Sequence, residues 1–151
     1  MTGKNLKLIN DVITRWNSTY FMFSRICDVQ IPLEAAVGVL HNPVEILTVA
    51  EWSVLKQCCV LLKPFEEVTR ELSAEKSVCV SKIIPLIESL KQFLCGLQVD
   101  DETASSLKDC LIQGLRTRFH RVEFNAILAK ATYLDPRFKK KVLAPKTQLL
   151  K

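Results

Sequence analysis

Residues 48–72 read Thr-Val-Ala-Glu-Trp-Ser-Val-Leu-Lys-Gln-Cys-Cys-Val-Leu-Leu-Lys-Pro-Phe-Glu-Glu-Val-Thr-Arg-Glu-Leu, and this stretch decides the fold class. Thr48 and Glu51 stand three apart ahead of an apolar run, the spacing of a capping box. The threonine oxygen takes one orphan amide of the first turn, and the glutamate reaches back to another. Behind that start, Trp52, Leu55, Cys59, Leu62, Phe65, Val68 and Leu72 recur at threes and fours. Such spacing predicts one buried stripe along a helix of about six turns. Pro64 falls inside it and is expected to kink or divide the helix. Glu66, Glu67, Glu71 and Glu75 are expected to give its second half an acidic outer face.

The same period continues on both sides. Asn17, Ser18 and Thr19 are good N-caps for a first helix with Phe21, Met22, Ile26 and Val29 inward. Pro32 suits the first turn of a short second helix, striped by Leu33, Val37 and Leu40 and ended by His41-Asn42-Pro43. A fourth helix is expected from about Ser77 to Leu97, with Ile83, Ile84, Ile87, Leu90, Leu94 and Leu97 inward and a bend at Pro85. Asp100, Asp101 and Glu102 put negative charge at the start of a fifth, where the macrodipole favours it. Its stripe is Leu107, Leu111, Ile112, Leu115, Phe119 and Val122. Asn125 caps a last short helix through Ala126, Ile127, Leu128 and Ala131, and Asp135-Pro136 reads as a further cap and first-turn proline. Residues 1–10 suggest a short extended segment, and no repeat of about 30–45 residues points to a solenoid. The expectation is an all-α fold: about six helices in one domain, two of them long and proline-bent. Its boundaries are an N-terminal segment and junction over 1–17, a helical domain over 18–143 and a frayed tail over 144–151.

Composition agrees. The 151 residues are 48% apolar and 25% charged, with only four glycines and six prolines for tight turns. That is a globular composition, short of what an all-β chain needs. The net charge of +5 is unevenly placed. Residues 1–100 carry ten Lys/Arg against eleven Asp/Glu, whereas residues 101–151 carry eleven against five. A basic C-terminal third is either a footprint for a polyanion or a solvated face. The six cysteines include no Cys-x-x-Cys, and the two histidines lack ligand spacing. Cys59, Cys79, Cys95 and Cys110 read as small hydrophobes, and a reducing compartment fits them. No apolar run follows Met1, and charges interrupt Val78–Leu97, so neither a signal peptide nor a membrane span is expected.

Two motifs carry a resemblance. Asp-Val-Ile-Thr-Arg-Trp-Asn-Ser-Thr-Tyr at 11–20 and Ala-Thr-Tyr-Leu-Asp-Pro-Arg-Phe-Lys at 131–139 enclose a helical stretch of about a hundred residues. In that order they resemble the hAT superfamily of cut-and-paste DNA transposases, in particular its domesticated vertebrate branch, the BED-type zinc-finger proteins. The likeness runs from Leu8 to Val142. It implies that Arg15 and Trp16 stand where an RNase H-like core gives way to a helical insertion domain, with Trp16 associated in active members with DNA at the cleaved end. It implies that Leu134–Phe138 lies within that insertion domain. The family's chemistry needs three carboxylates holding two divalent metals. Asp11 and Asp135 belong to the flanking motifs and match none of the three. The resemblance thus implies an insertion-domain piece with no catalytic site, no cofactor and no small-molecule substrate.

Candidate binding residues follow. Arg15 and Trp16, with Arg116, Arg118, Arg121, Arg137, Lys139, Lys140 and Lys141, are the expected DNA contacts, and His120 lies among them. Each has a plain counter-reading: Trp16 either stacks on bases or anchors the first helix, and the basic set either meets phosphates or is a solvated face. The function expected is a non-catalytic helical domain of a transposase-derived nuclear DNA-binding protein, scaffolding DNA contacts or self-association. The alternative is a protein-interaction scaffold with no nucleic-acid role. DNA and self- or hetero-association are the partner classes, with no membrane among them.

Overall fold

The capping box forms as spaced. Thr48 N donates to Glu51 Oε2 at 2.7 Å, and Glu51 N donates to Thr48 Oγ1 at 3.3 Å. A computed structural model describes residues 7–15, 17–39, 45–73 and 80–138. Its described residues form six α-helices and no strand. They are α1 (Ser18–Asp28), α2 (Gln30–Val37), α3 (Val49–Leu72), α4 (Ile83–Gly96), α5 (Glu102–Arg118) and α6 (Ala126–Leu134). Short 3-10 turns at Val80–Lys82 and Val122–Phe124 lead into α4 and α6. The fold is all-α. Residues 7–10 adopt no regular structure. None of these helices is long and apolar enough to cross a membrane.

α3 runs unbroken through Pro64, so of the two expected outcomes, a kink or a division, the division does not occur. α4 starts at Ile83, later than expected, which makes Pro85 its third residue. In the first turn the missing N–H is one of the unsatisfied donors anyway, so no bend is required there. α2 holds Pro32 in its first turn as expected, while its expected ending at His41–Pro43 lies outside the described residues. Asn17 precedes α1 in the left-handed region at φ 65°, and its side chain makes no capping bond. Asn is one of the few non-glycine types that tolerate this conformation.

The chain divides into two compact units, one built from residues up to Glu66 with Val99–Leu107, the other from Glu67–Gln98 with residues from Lys108 on. The first buries Val29, Trp52, Cys58, Leu61 and Ala104. Cys58 and Leu61 lie one position before the expected Cys59 and Leu62, which are only half-buried. Residues 58–62 are all apolar, so period alone leaves the phase of the stripe open there. Glu66, expected on the acidic outer face, is 8% exposed. The Trp52 indole N–H has no hydrogen-bond partner among the described residues, which costs about 1–3 kcal/mol. Burial, with Cys27 alongside, pushes the Cys59 thiol up to about 12, so it stays protonated at neutral pH. Cys95 and Cys110 are exposed, contrary to their apolar reading, and Cys79 lies outside the described residues. In this unit Gln57 Oε1 accepts from Asp100 N at 3.2 Å.

The second unit buries Ile84, Ile87, Leu90 and Leu94 of α4, as the spacing predicts, with Leu115 and Val122. Ile83 and Leu128 pack against the Ile84–Ile87–Val122 cluster. Lys108 Nζ donates to Leu97 O at 2.8 Å, placing a cation where the α4 dipole is negative. The start of α5, which belongs to the first unit, is capped by Asp101, whose Oδ1 accepts from Thr103 N at 2.7 Å and Ala104 N at 3.2 Å. Phe119 is exposed, because α5 ends at Arg118 and the helical stripe has no continuation beyond it.

Leu94 has no solvent exposure, so Leu94→Ala is expected to destabilise the chain by about 2–5 kcal/mol. Thr48→Ala, which removes an exposed cap, should cost about 1 kcal/mol. Urea unfolding followed by circular dichroism checks both values and their order.

Candidate nucleic-acid interface

Three of the expected contacts cluster where α5 gives way to α6. Arg116 and Arg118 occupy the last turn of α5, where positive charge complements the macrodipole. Two helical steps put them about 200° apart around the axis, so they form a collar and not a stripe. Both are exposed, as are His120 and Arg121. None of the three arginines has a carboxylate partner among the described residues. Arg121 sits at φ 54° and opens the turn Val122–Phe124. Val122 is buried and anchors that turn. Asn125 then caps α6 as predicted, its Oδ1 accepting from Ile127 N at 3.1 Å and Leu128 N at 3.2 Å. The geometry leaves the Arg121 guanidinium 5.8 Å from the centre of the Phe124 ring, within cation–π range.

Arg137 is placed differently. Its Nε donates to Asp135 Oδ1 at 2.9 Å and its Nη2 to Oδ2 at 2.6 Å, a forked charge-assisted pair. Ser81 Oγ donates to the same carboxylate at 2.7 Å. Thr132, 1% exposed, lies with its hydroxyl 3.1 Å from Ser81 O and 2.8 Å from Leu128 O. The Leu134–Phe138 motif therefore fastens the end of α6 to the segment ahead of α4. The hydrogen bonds from Arg137 and Ser81 hold the Asp135 carboxyl well below the usual carboxylate range. The same pairing raises the Arg137 guanidinium above its ordinary value. Asp135 does not start a helix. It closes α6, and its Oδ1 accepts from Arg137 N at 3.0 Å to shape a turn through Pro136. Nearby, Lys82 pairs with Glu71.

The first motif is tied in a parallel way. Ser18 Oγ donates to Asp11 Oδ1, and Thr19 Oγ1 donates to the same oxygen at 3.1 Å. Val12 N donates to Ser18 Oγ at 3.0 Å, closing the loop onto the start of α1. These hydroxyls, Ser18 first, hold the Asp11 carboxyl below its usual range. Arg15 is exposed in the turn, its N–H donating to Val12 O at 2.7 Å. It belongs to the first unit, whereas Arg116, Arg118, Arg121 and Arg137 belong to the second. Trp16, Lys139, Lys140 and Lys141 lie outside the described residues. Among the described residues, no group of three His, Cys, Asp or Glu could hold a metal ion.

Sequence reasoning missed Ser81, Thr132 and Phe124. A threonine in the last turn of a helix could have flagged a side chain bonded back to its own backbone. Nothing local pairs Ser81 with Asp135.

No family model matches the chain, and no solved structure gives a significant match. Human zinc finger BED domain-containing protein 6 is 32% identical over 146 residues, which cover 90% of this chain and 14% of that protein. Human zinc finger BED domain-containing protein 4 is 29% identical over 136 residues, 87% of this chain and 11% of that protein. The mouse zinc finger BED domain-containing protein 6 is 29% identical over 143 residues, covering 90% and 14% respectively. The chain thus spans only 11% to 14% of the length of these curated relatives.

Because the folded-state value of Asp135 is depressed, its stabilisation is complete above its ordinary value of about 3.9 and is lost as pH falls through the folded value. Wild-type protein should melt higher than Asp135→Asn by a constant margin from about pH 7 to about pH 5, with the margin shrinking below about pH 4. Melting curves of both proteins across that range provide the check. A margin independent of pH would remove the ionic lock.

Proposed function

The homologues of this chain are vertebrate zinc finger BED domain-containing proteins, and from that premise we propose a non-catalytic helical domain of a transposase-derived nuclear DNA-binding protein. Its part is to add sequence-independent phosphate contacts. The observation that carries this reading is the collar of Arg116, Arg118 and Arg121, exposed and without carboxylate partners among the described residues. Arginines committed to internal ion pairs neutralise their own partners; these three are left to neutralise someone else's. Phosphates are the matching polyanion, since the guanidinium fork binds them in two-point geometry. Arg137, locked on Asp135, contributes structure and little phosphate affinity. The same reading assigns no hydrolytic or strand-cleaving step to the chain.

A second reading has its own observation. α6 is apolar on both sides: Leu128 and Thr132 face inward, yet Ile127 is 73% and Leu134 77% exposed, with Tyr133 beside them. Large apolar side chains left exposed together on one helix ordinarily mark an interaction surface. Association with another chain through this face is compatible with the DNA reading and is the form in which the scaffold role would be expressed.

Duplex DNA should bind at low ionic strength with an affinity that falls steeply as salt rises. Each of Arg116→Ala, Arg118→Ala and Arg121→Ala should lower the slope of log affinity against log salt by about 0.9. Arg137→Ala should lower the melting temperature and leave that slope nearly unchanged. Fluorescence anisotropy across a salt series decides the matter, and no salt-dependent binding would sink the DNA reading. For the second reading, sedimentation should show concentration-dependent self-association that Ile127→Ser with Leu134→Ser abolishes. A strictly monomeric wild-type protein would count against self-association through α6.

A further inference from the structure

Phe124 is 65% exposed, although phenylalanine is among the types most often buried. It is held in that position from both sides in sequence. Val122, two residues before it, is buried and fixes the turn, and Asn125, directly after it, is committed to capping α6. Phe124 N donates to Arg121 O at 2.9 Å, which closes the turn and brings the Arg121 side chain back over the ring. Arg121 accepts a left-handed backbone at φ 54° in doing so, a conformation unfavourable for a residue with a β-carbon. With the guanidinium shading one face of the ring, an exposure this high leaves the opposite face in water.

An open aromatic face beside a guanidinium plane is chemically suited to a flat, electron-rich ring system. Nucleobases stack on such platforms without regard to sequence, because each base has a π-face. In a duplex those faces are occupied by neighbouring pairs, so only an unpaired base can use the platform. Arg116 and Arg118 lie in the last turn of α5, a few residues before the site in sequence, and add exposed positive charge to this segment. We infer that Arg121 and Phe124 form a stacking site for an unpaired nucleotide, so that this segment prefers single-stranded or overhanging DNA to blunt duplex. The inference rests on the phosphate-binding reading and adds to it the state of the nucleic acid. A protein partner is the competing occupant, since Ile127, three residues on in α6, is also an exposed large apolar side chain. The two further exposed arginines in the last turn of α5 favour the nucleotide, because a strand brings phosphates that an apolar protein face lacks.

The test compares a labelled single strand of about 16 nucleotides with a blunt duplex of the same length. Anisotropy at low salt is read for wild-type protein, Phe124→Ala, Phe124→Trp and Ile127→Ser. Phe124→Ala should weaken single-strand binding by about 5- to 150-fold, the range of one lost base stack. Duplex binding should stay within about twofold, the salt slope should not move, and Phe124→Trp should retain single-strand affinity. Circular dichroism checks that each variant is folded. Equal losses on both DNAs, or no loss on either, would overturn the stacking site while leaving phosphate binding intact. A changed sedimentation profile with unchanged DNA affinity would assign the ring to a protein contact and also overturn it. Absence of binding to both DNAs by the wild-type protein would remove the phosphate reading itself, and the stacking site with it.

Discussion

The second unit depends on one carboxylate. Asp135 stands at the C-terminal end of α6, where the helix dipole is negative and another negative charge is unwelcome. It is held there by donors: the forked Arg137 guanidinium and the Ser81 hydroxyl. Thr132, one turn earlier, completes the tie through the Ser81 carbonyl. These bonds fix α6 against the segment that leads into α4, and the Ile84–Ile87–Val122 cluster, with Ile83 and Leu128 against it, forms beside them. Removing the acid would leave the arginine and the serine without their shared acceptor. The lock therefore binds local turn geometry to long-range packing.

Both motifs that carry the family resemblance use the same device. In each, an aspartate accepts from a serine hydroxyl, Asp11 from Ser18 and Asp135 from Ser81. Both carboxyl groups are held below their ordinary range by those bonds. One closes a loop and the other a helix end. The arginines also divide by task. Arg137 serves the fold, whereas Arg116, Arg118 and Arg121 are exposed and have no carboxylate partner among the described residues.

Much of this was legible because it is local. The Thr48–Glu51 box, the Asn125 cap, the inward line Ile84–Ile87–Leu90–Leu94 and the acid-capped start of α5 each involve residues within one or two turns. Such patterns follow from the 3.6-residue period and from the unsatisfied amides of a first turn. The failures have equally definite causes. Five consecutive apolar residues at 58–62 left the phase of α3 undetermined, and Pro85 was misread because α4 starts later than expected. The exposed faces of Ile127, Leu134 and Phe124 could not be foreseen, since hydrophobicity states what a residue prefers and not whether a neighbour is there to cover it.

The sequence by itself determined an all-helical chain, the register of its caps, a C-terminal third rich in arginine and lysine, and a family likeness carried by two motifs. Those properties are set by contacts between residues a few positions apart. Only the tertiary structure decided which arginines remain available. Ser81 and Asp135 are separated by 54 positions, and no spacing rule connects them. That pairing helps to hold the acid that takes up Arg137, while the turn at Arg121 leaves its side chain over an open ring. Charge is written in the chain, but whether a charge is spent internally or presented to a partner depends on which distant groups folding brings within about 3 Å.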